Sequence, residues 1–421
     1  MTVLNDPIEW LLDTAHLFPG PGVMLGHLVD RLNDRGMQLT RVNIMCYTLH
    51  PQIEIRLTVW RQNRGYKDTS QTAKVFDVAE FEVGGGIVRE IDLGHRPSIN
   101  PAFKTSPLYR IAVDRVAEIA ADLRSLNSVD EFPIFADFVE QGATGYFAHE
   151  LLLDREERGV VTWLTEKPGG FDSETEAMFR RLSQPLALIV SKFLAKRISQ
   201  VLLNTYLGTG TGQLVLAGNI KQGDVQRLQA AIWFSDLRGF TGHSVSMSPE
   251  DLVAMLNQYF SVVAKAIRAE GGEILKFIGD AVLAIFPITT DRSQQEACAA
   301  ALRAAVHVQE ELHVLNAECG AERFSQGVAL HVGEVQYGNI GAEDRLDFTV
   351  IGRAVNLAAR IEGLCGKLGL PVLLSAAFAK WVQAPTIAVG DFELKGIPGE
   401  QSVFRLQESS SGLREPGLQP D

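Results

Sequence analysis

Cysteine is scarce in this sequence: four in 421 residues, Cys46, Cys298, Cys319 and Cys365, with no Cys-x-x-Cys pair. That spacing excludes a zinc knuckle or a dithiol redox motif and reads as isolated thiols in a reducing compartment. Long uncharged apolar runs are missing as well. The most apolar long stretch, Leu182 to Leu203, contains Lys192, Lys196 and Arg197 and cannot cross a bilayer unaided. Met1 to Pro7 is short and polar rather than basic and then apolar, so the expectation is a soluble, cytoplasmic protein. There is no basic excess: 39 Lys and Arg against 51 Asp and Glu give a net charge of −12, which speaks against a general nucleic-acid binder. An acidic surface still admits a triphosphate, because bound metal inverts the local charge. A Walker loop is absent too. Thr205-Tyr-Leu-Gly-Thr-Gly-Thr-Gly212 has three glycines but no Gly-Lys-Ser/Thr end, so it reads as a linker or hinge.

What is present is an ordinary globular composition, 46% hydrophobic and 21% charged, on a chain long enough for two domains. Val23 to Leu32 has apolar residues at helical spacing and stops near Gly36. Strands are expected at 41–48 and 53–60 with Pro51 between them, then a polar irregular stretch as far as Ser106. A helix follows through Ile111, Val116 and Ile119, and strands resume at 143–153 and 160–165. Pro168-Gly-Gly-Phe-Asp-Ser-Glu-Thr175 stops the last strand and caps a long helix. In that helix Leu182, Leu186, Ile189 and Phe193 form one stripe, with Val190, Leu194, Ile198 and Val201 beside it. Two stripes suit either a parallel helix pair between subunits or packing on the helix's own domain, and Pro185 disturbs its first turn. His16, His27, His50, His95 and His149 are dispersed and read as surface or satisfied core histidines.

From Ala230 the period changes to strand, helix, strand pair, helix, strand. Ala231, Trp233 and Ser235 share one face of the first strand, and Ile232, Phe234 and Asp236 the other. Asp236 enters a glycine turn, where a lone Asp is ordinarily just a turn residue. Ser248-Pro-Glu-Asp251 starts a helix that Gly271-Gly272 ends. Residues 273–286 form a hairpin tipped by Gly279-Asp280. The pattern predicts an α+β fold, a ferredoxin-like βαββαβ sheet with helices on one face. Such a sheet sets Asp236 beside Asp280, and two carboxylates that close must share a proton or a cation. Magnesium, held by a few carboxylates and phosphate oxygens, accounts for both acids, and the N–H groups of Gly239-Phe-Thr-Gly242 face the phosphates.

Three segments then resemble the signatures of class III nucleotidyl cyclases: Phe234-Ser-Asp-Leu-Arg-Gly-Phe-Thr241, Leu275-Lys-Phe-Ile-Gly-Asp280 and Thr349-Val-Ile-Gly-Arg-Ala-Val-Asn-Leu-Ala-Ala-Arg360. They occur in the family's order over about residues 228–406. The resemblance implies an adenylate cyclase in which Asp236, Asp280 and the Leu237 carbonyl hold two Mg²⁺ or Mn²⁺ ions per site. Phe240 and Thr241 then lie at the triphosphate, Lys276 and Thr349 read the purine, Asn356 orients the ribose and Arg360 stabilises charge on the α-phosphate. It also implies a head-to-tail homodimer, because in the family the acids and the Asn–Arg pair come from different subunits. The family's Lys-Gly-Lys segment is here Leu394-Lys-Gly-Ile-Pro398, which leaves Lys395 as its one lysine. No residue stands out as general base. Lys276 as donor to adenine N1 and Thr349 as acceptor from the N6 amine favour ATP over GTP. A guanylate cyclase and a non-catalytic nucleotide-binding sensor dimer are the alternatives; a diguanylate cyclase lacks its Gly-Gly-Asp/Glu-Glu-Phe signature here. The helix–sheet–helix order of the first half, and Pro168 to Val190 above all, resembles a GAF-type sensor domain, with a PAS-like sheet as the rival. The expected organisation is a GAF-like regulatory domain at 1–180 that takes a small-molecule or protein signal, a connecting helix and linker at 181–227, the cyclase domain at 228–406 and a flexible tail at 407–421.

Overall fold

Two hydrophobic sheets organise the chain, one in each of two units, Met1–Leu202 and Leu203–Asp421. The computed structural model describes residues 6–50, 52–63, 75–94, 101–125, 130–154, 157–319 and 323–407; His95 lies outside them. Among the described residues no helix is long and apolar enough to cross a membrane.

The first unit opens with α1 (Pro7–Asp13) and α2 (Pro21–Asn33) and continues through β1 (Leu39–Tyr47) and β2 (Ile53–Gln62). The hairpin β3 (Val75–Val83) and β4 (Gly86–Gly94) follows, then the short helices α3 (Pro101–Lys104) and α4 (Pro107–Ala112). Next come β5 (Glu118–Asp122), α5 (Ile134–Glu140), β6 (Gly145–Leu152), β7 (Arg158–Thr165) and α6 (Ser173–Leu207). The strands form one sheet in the order β3-β4-β2-β1-β7-β6-β5, every neighbour antiparallel. Alternation along the central strands feeds two cores. Val42, Ile44, Trp60 and Val88 face α2 and α6, while Met45, Ile55 and Leu57 face α4 and α5.

Several expectations are corrected here. The "irregular" stretch holds β3 and β4, whose charged residues lie on the sheet rather than in a loop; Arg89 Nε, for instance, pairs with Glu80 at 3.0 Å. The helix expected through Val116 and Ile119 ends at Ala112, and Ile119 belongs to edge strand β5. Packing of α6 on its own unit, one of the two alternatives, accounts for most of both stripes. Leu182, Leu186, Ile189, Val190, Phe193 and Leu194 are buried against the sheet, with Ile198 packed beside them. Pro185 is buried well inside α6 rather than in its first turn, because the helix begins at Ser173, where Asp172 Oδ1 accepts from Thr175 N–H. The expected hinge at 205–212 is helical on both sides of Gly208, which breaks it at φ 90°.

In the second unit α7 (Thr209–Leu216) leads to β8 (Val225–Leu237), α8 (Phe240–Ser246) and α9 (Pro249–Ala269). The hairpin β9 (Glu273–Ile278) and β10 (Ala281–Pro287) precedes α10 (Gln294–Cys319), β11 (Gln326–Ala342), β12 (Arg345–Ile351) and α11 (Arg353–Leu368). The unit closes with β13 (Val372–Ser375), α12 (Ala376–Ala379), β14 (Thr386–Glu393) and β15 (Glu400–Leu406). The sheet runs β14-β15-β13-β11-β8-β10-β9, with β12 paired to β11. Ala231 and Trp233 of β8 pack under α9 and α10, as their alternation requires. The opposite face is covered as well, against the expectation of helices on one side only: Ala230 and Ile232 pack with Ala354 and Ala358 of α11 and with Leu214 and Val215 of α7.

Candidate active site

Strand β8 is held in register over its whole length by β11, which sets Gly327 opposite Asp236, and by β10, which sets Val282 opposite Ser235. Behind Asp236 a buried polar chain fixes the strand. Trp233 Nε1 donates to Ser235 Oγ at 2.9 Å, and Tyr259 OH donates to Gln326 Oε1 at 2.9 Å. Gly279 takes φ 64°, a left-handed turn that delivers Asp280 at the tip of β9–β10.

The two carboxyls therefore meet within hydrogen-bond reach. Burial first, then the hydrogen bond and the negative charge of Asp280, push the Asp236 carboxyl up to about 6, while the Leu237 N–H opposes the shift by donating to it. Such a pair takes up a proton or a cation to relieve its repulsion. With the Leu237 carbonyl beside it, the donor set is all oxygen and suits a hard divalent ion such as Mg²⁺ or Mn²⁺. A third acid comes from α11. Glu362 is half-buried, and burial followed by the charges of Asp236 and Asp280 pushes its carboxyl up to about 7 against the pull of Arg238. Arg238 Nη2 donates to the Leu370 carbonyl at 2.7 Å.

Lys276 lies on β9, and its Nζ pairs at 3.0 Å with Asp347 Oδ2 on β12. Thr349 is two residues further along β12, on the same face, and is 7% exposed. Phe240 and Thr241 open α8 behind the left-handed Gly239. Asn356 and Arg360 sit four residues apart on the exposed side of α11, whose Ala354, Ala358 and Ile361 face the sheet. No bond joins them to Asp236 or Asp280 among the described residues. Lys395 is exposed on the turn after β14. The chain thus brings together Asp236 with Asp280, and Lys276 with the strand of Thr349; among the described residues no bond links Asn356, Arg360 or Lys395 to the acids. Sequence reasoning passed over Asp347 and Glu362. Asp347 had one available signal, its i−2 position before Thr349 on a strand.

The adenylate and guanylate cyclase catalytic domain family matches residues 225–408. This segment is a class III nucleotidyl cyclase catalytic domain. The cyclase domain is 37% identical over 174 residues to an adenylate cyclase of Anabaena cylindrica, covering 40% of this chain and 33% of that protein. It is 35% identical over 156 residues to adenylate cyclase 1 of Rhizobium meliloti, covering 36% of this chain and 23% of that one. The chain therefore spans a third or less of these curated relatives. Among solved structures, the adenylyl cyclase CyaB of P. aeruginosa aligns at 27% identity and TM-score 0.40 over 45% of this chain and 99% of that one. The guanylyl cyclase Cya2 aligns at 31% identity and TM-score 0.38 over 45% and 95%.

Proposed function

We propose that the protein is an adenylate cyclase, forming 3′,5′-cyclic AMP and pyrophosphate by attack of the ribose 3′-OH on the α-phosphate of ATP. The observation that carries this reading is the contact of Asp236 with Asp280, a carboxyl pair that a divalent cation would relieve. Two Mg²⁺ or Mn²⁺ ions held by Asp236, Asp280 and the Leu237 carbonyl would supply Lewis-acid activation and charge neutralisation at the phosphates. The chain's own residues do the positioning. Lys276 donates to adenine N1 and is steadied by Asp347; Thr349 accepts from the N6 amine. Phe240 and Thr241 lie along the triphosphate, and Lys395 is the available cation for its terminal phosphates. Asn356 orients the ribose, and Arg360 meets the charge that builds on the α-phosphate.

Because Asn356 and Arg360 are exposed and have no bond to the acids among the described residues, we read each site as shared between two copies in a head-to-tail homodimer. Phe277, Ile278 and Ile351, apolar and 46–48% exposed next to the base-reading residues, support a covered surface there. The strand order β11-β8-β10-β9 supports the ferredoxin-like βαββαβ reading, and the antiparallel sheet between α2 with α6 and α4 with α5 supports the GAF-like one. In this reading residues 1–180 regulate, 181–227 connect and 228–406 catalyse.

One observation favours a second reading. Asp347 is an acidic acceptor beside Lys276, which guanine N1–H and N2–H₂ could use. Purified chain incubated with ATP or GTP and Mn²⁺, with products separated chromatographically, distinguishes the two. Cyclic AMP is expected, and Asp236→Ala or Asp280→Ala should abolish it while the circular dichroism spectrum is kept. Cyclic GMP as the main product establishes the guanylate reading. Nucleotide binding without either product establishes a non-catalytic sensor.

A further inference from the structure

The sheet of the first unit is largely apolar where α2 and α6 cover it, and one patch carries several charged side chains. Cross-strand pairing sets Thr58 opposite Glu90 and Arg56 opposite Asp92, with Ile44 and Cys46 on the strand beyond. Four polar side chains thus stand together on a face otherwise built for burial. Over them, α6 and the segment that opens α2 leave a cavity of about 210 Å³ walled by Ile44, Val190, Phe193 and Leu194.

The groups at its floor are incompletely bonded. Glu90 is satisfied, accepting from Gly22 N–H at 3.1 Å and from Arg56 Nη2 at 2.9 Å. Arg56 Nε is buried without a hydrogen bond, its nearest anion being Asp92 Oδ1 at 3.7 Å. Thr58 is only 3% exposed, lines the cavity and has no hydrogen-bond partner for its hydroxyl among the described residues. A polar floor of Thr58, Arg56 and Glu90 beside an apolar wall of Phe193 and Leu194 suits a ligand with one polar end.

We propose that this cavity is a binding site for a small organic anion, a carboxylate carried on an apolar body. The charge balance sets the sign: Arg56, Lys196 and Arg197 stand against Glu90 and Asp92, which leaves an excess of positive charge. The carboxylate lies toward Thr58, Arg56 and Lys196, and the apolar body lies along Phe193 and Leu194. The volume sets the size. At about 210 Å³ it falls below the roughly 300–1,000 Å³ of drug-sized sites and suits a small ligand. The ligand is held without a covalent bond, since burial pushes the Cys46 thiol up to about 12 and keeps it protonated. The site stands independently of the cyclase reading.

Isothermal titration of the full-length chain with hexanoate, benzoate and phenylacetate tests the proposal, with hexanol and benzamide as neutral counterparts. At least one acid should bind with one site per chain and a Kd of millimolar or tighter. Thr58→Val, which removes the unpartnered hydroxyl and keeps the shape, should weaken it about tenfold with the melting temperature held or raised. Lys196→Gln, exposed on α6, should weaken it several-fold, and it decides the matter if the first variant does not fold. Absence of saturable heat from all three acids overturns the proposal, as does equal binding of the neutral compounds or unchanged binding in the folded variants.

Discussion

Gly327 shows how closely the candidate site is packed. A Cβ there would stand 2.6 Å from Glu362 Oε1 and 2.8 Å from Cys365 Cβ, directly across the ladder from Asp236. Overpacking of this kind costs about 1–3 kcal/mol, so Gly327→Ala should lower the melting temperature and displace Glu362; an unchanged melting temperature would show that α11 gives way freely. Glu362 itself supplies a pH signature. Its carboxyl is raised to about 7 in the fold from an ordinary value of 4.5. Its contribution to stability is therefore complete below the ordinary value and is lost as the pH climbs through about 7. Without metal, Glu362→Gln should stabilise the chain at pH 8 by roughly 1 kcal/mol, a figure already reduced for the group's partial exposure, and should gain nothing near pH 4. Calorimetry at the two pH values checks this, and an equal gain at both would remove charge as the cause. Glu362 was not legible in the sequence, because an acid on a helix reads as a solvated side chain until a missing Cβ across the strand lets it in. Asp347 was hidden for another reason: its partner Lys276 lies 71 residues away, and only the placement of β12 beside β9 joins them.

Elements were legible where apolar residues were dense: β1, β2, β6, β7 and β8 read as strands because both faces are buried, and α9 because one face is apolar. β3 and β4 were not, because charged residues stand on both of their faces, Glu80, Glu82 and Arg89 on one and Glu90 and Asp92 on the other, and look like loop residues until paired. β5 is an edge strand whose pattern alternates between exposed and half-buried, so its few apolar residues imitate helical spacing. The segment Gly208 to Gly212 read as a linker because glycine signals flexibility, yet here it permits close approach: a Cβ at Gly210 would stand 2.6 Å from Glu273 Oε1. That contact belongs to a docking cluster. Thr211 N–H donates to Glu273 Oε1 at 2.9 Å, and Tyr337 OH lies 2.9 Å from Thr211 Oγ1 and donates to Glu273 Oε1 at 3.1 Å. Glu273 opens β9, the strand that carries Lys276 three residues later, so α7 is tied to the strand of Lys276. Tyr337→Phe removes one hydroxyl from both bonds, at about 1–2 kcal/mol. Hydrogen exchange should then quicken in the peptide containing Thr211 and in β9; protection unchanged in both would mean that apolar contacts of Leu214 and Val215 alone hold α7.

At the scale of the whole molecule the proposed sharing of the site between two copies is the claim most open to test. Asp236 and Asp280 meet at the tip of one hairpin, whereas Asn356 and Arg360 are exposed on α11 and have no bond to either acid among the described residues. On the proposed mechanism a two-fold pair would form two complete sites. This leads to a test that separates a shared site from a site built by rearrangement within one chain. On the proposed roles, Asp236→Ala removes the metal-binding half and Arg360→Ala the charge-stabilising half; each variant alone should be inactive. Mixed in equal amounts and allowed to exchange subunits, half of the dimers would pair one variant with the other. Each such dimer has one site with both functional halves and one with neither. The mixture should therefore recover about a quarter of the wild-type rate, rising toward half if the mixed pairs are isolated by two affinity tags. No recovery from demonstrably mixed dimers would mean that both halves come from the same chain, and α11 would then have to move for the reaction to occur.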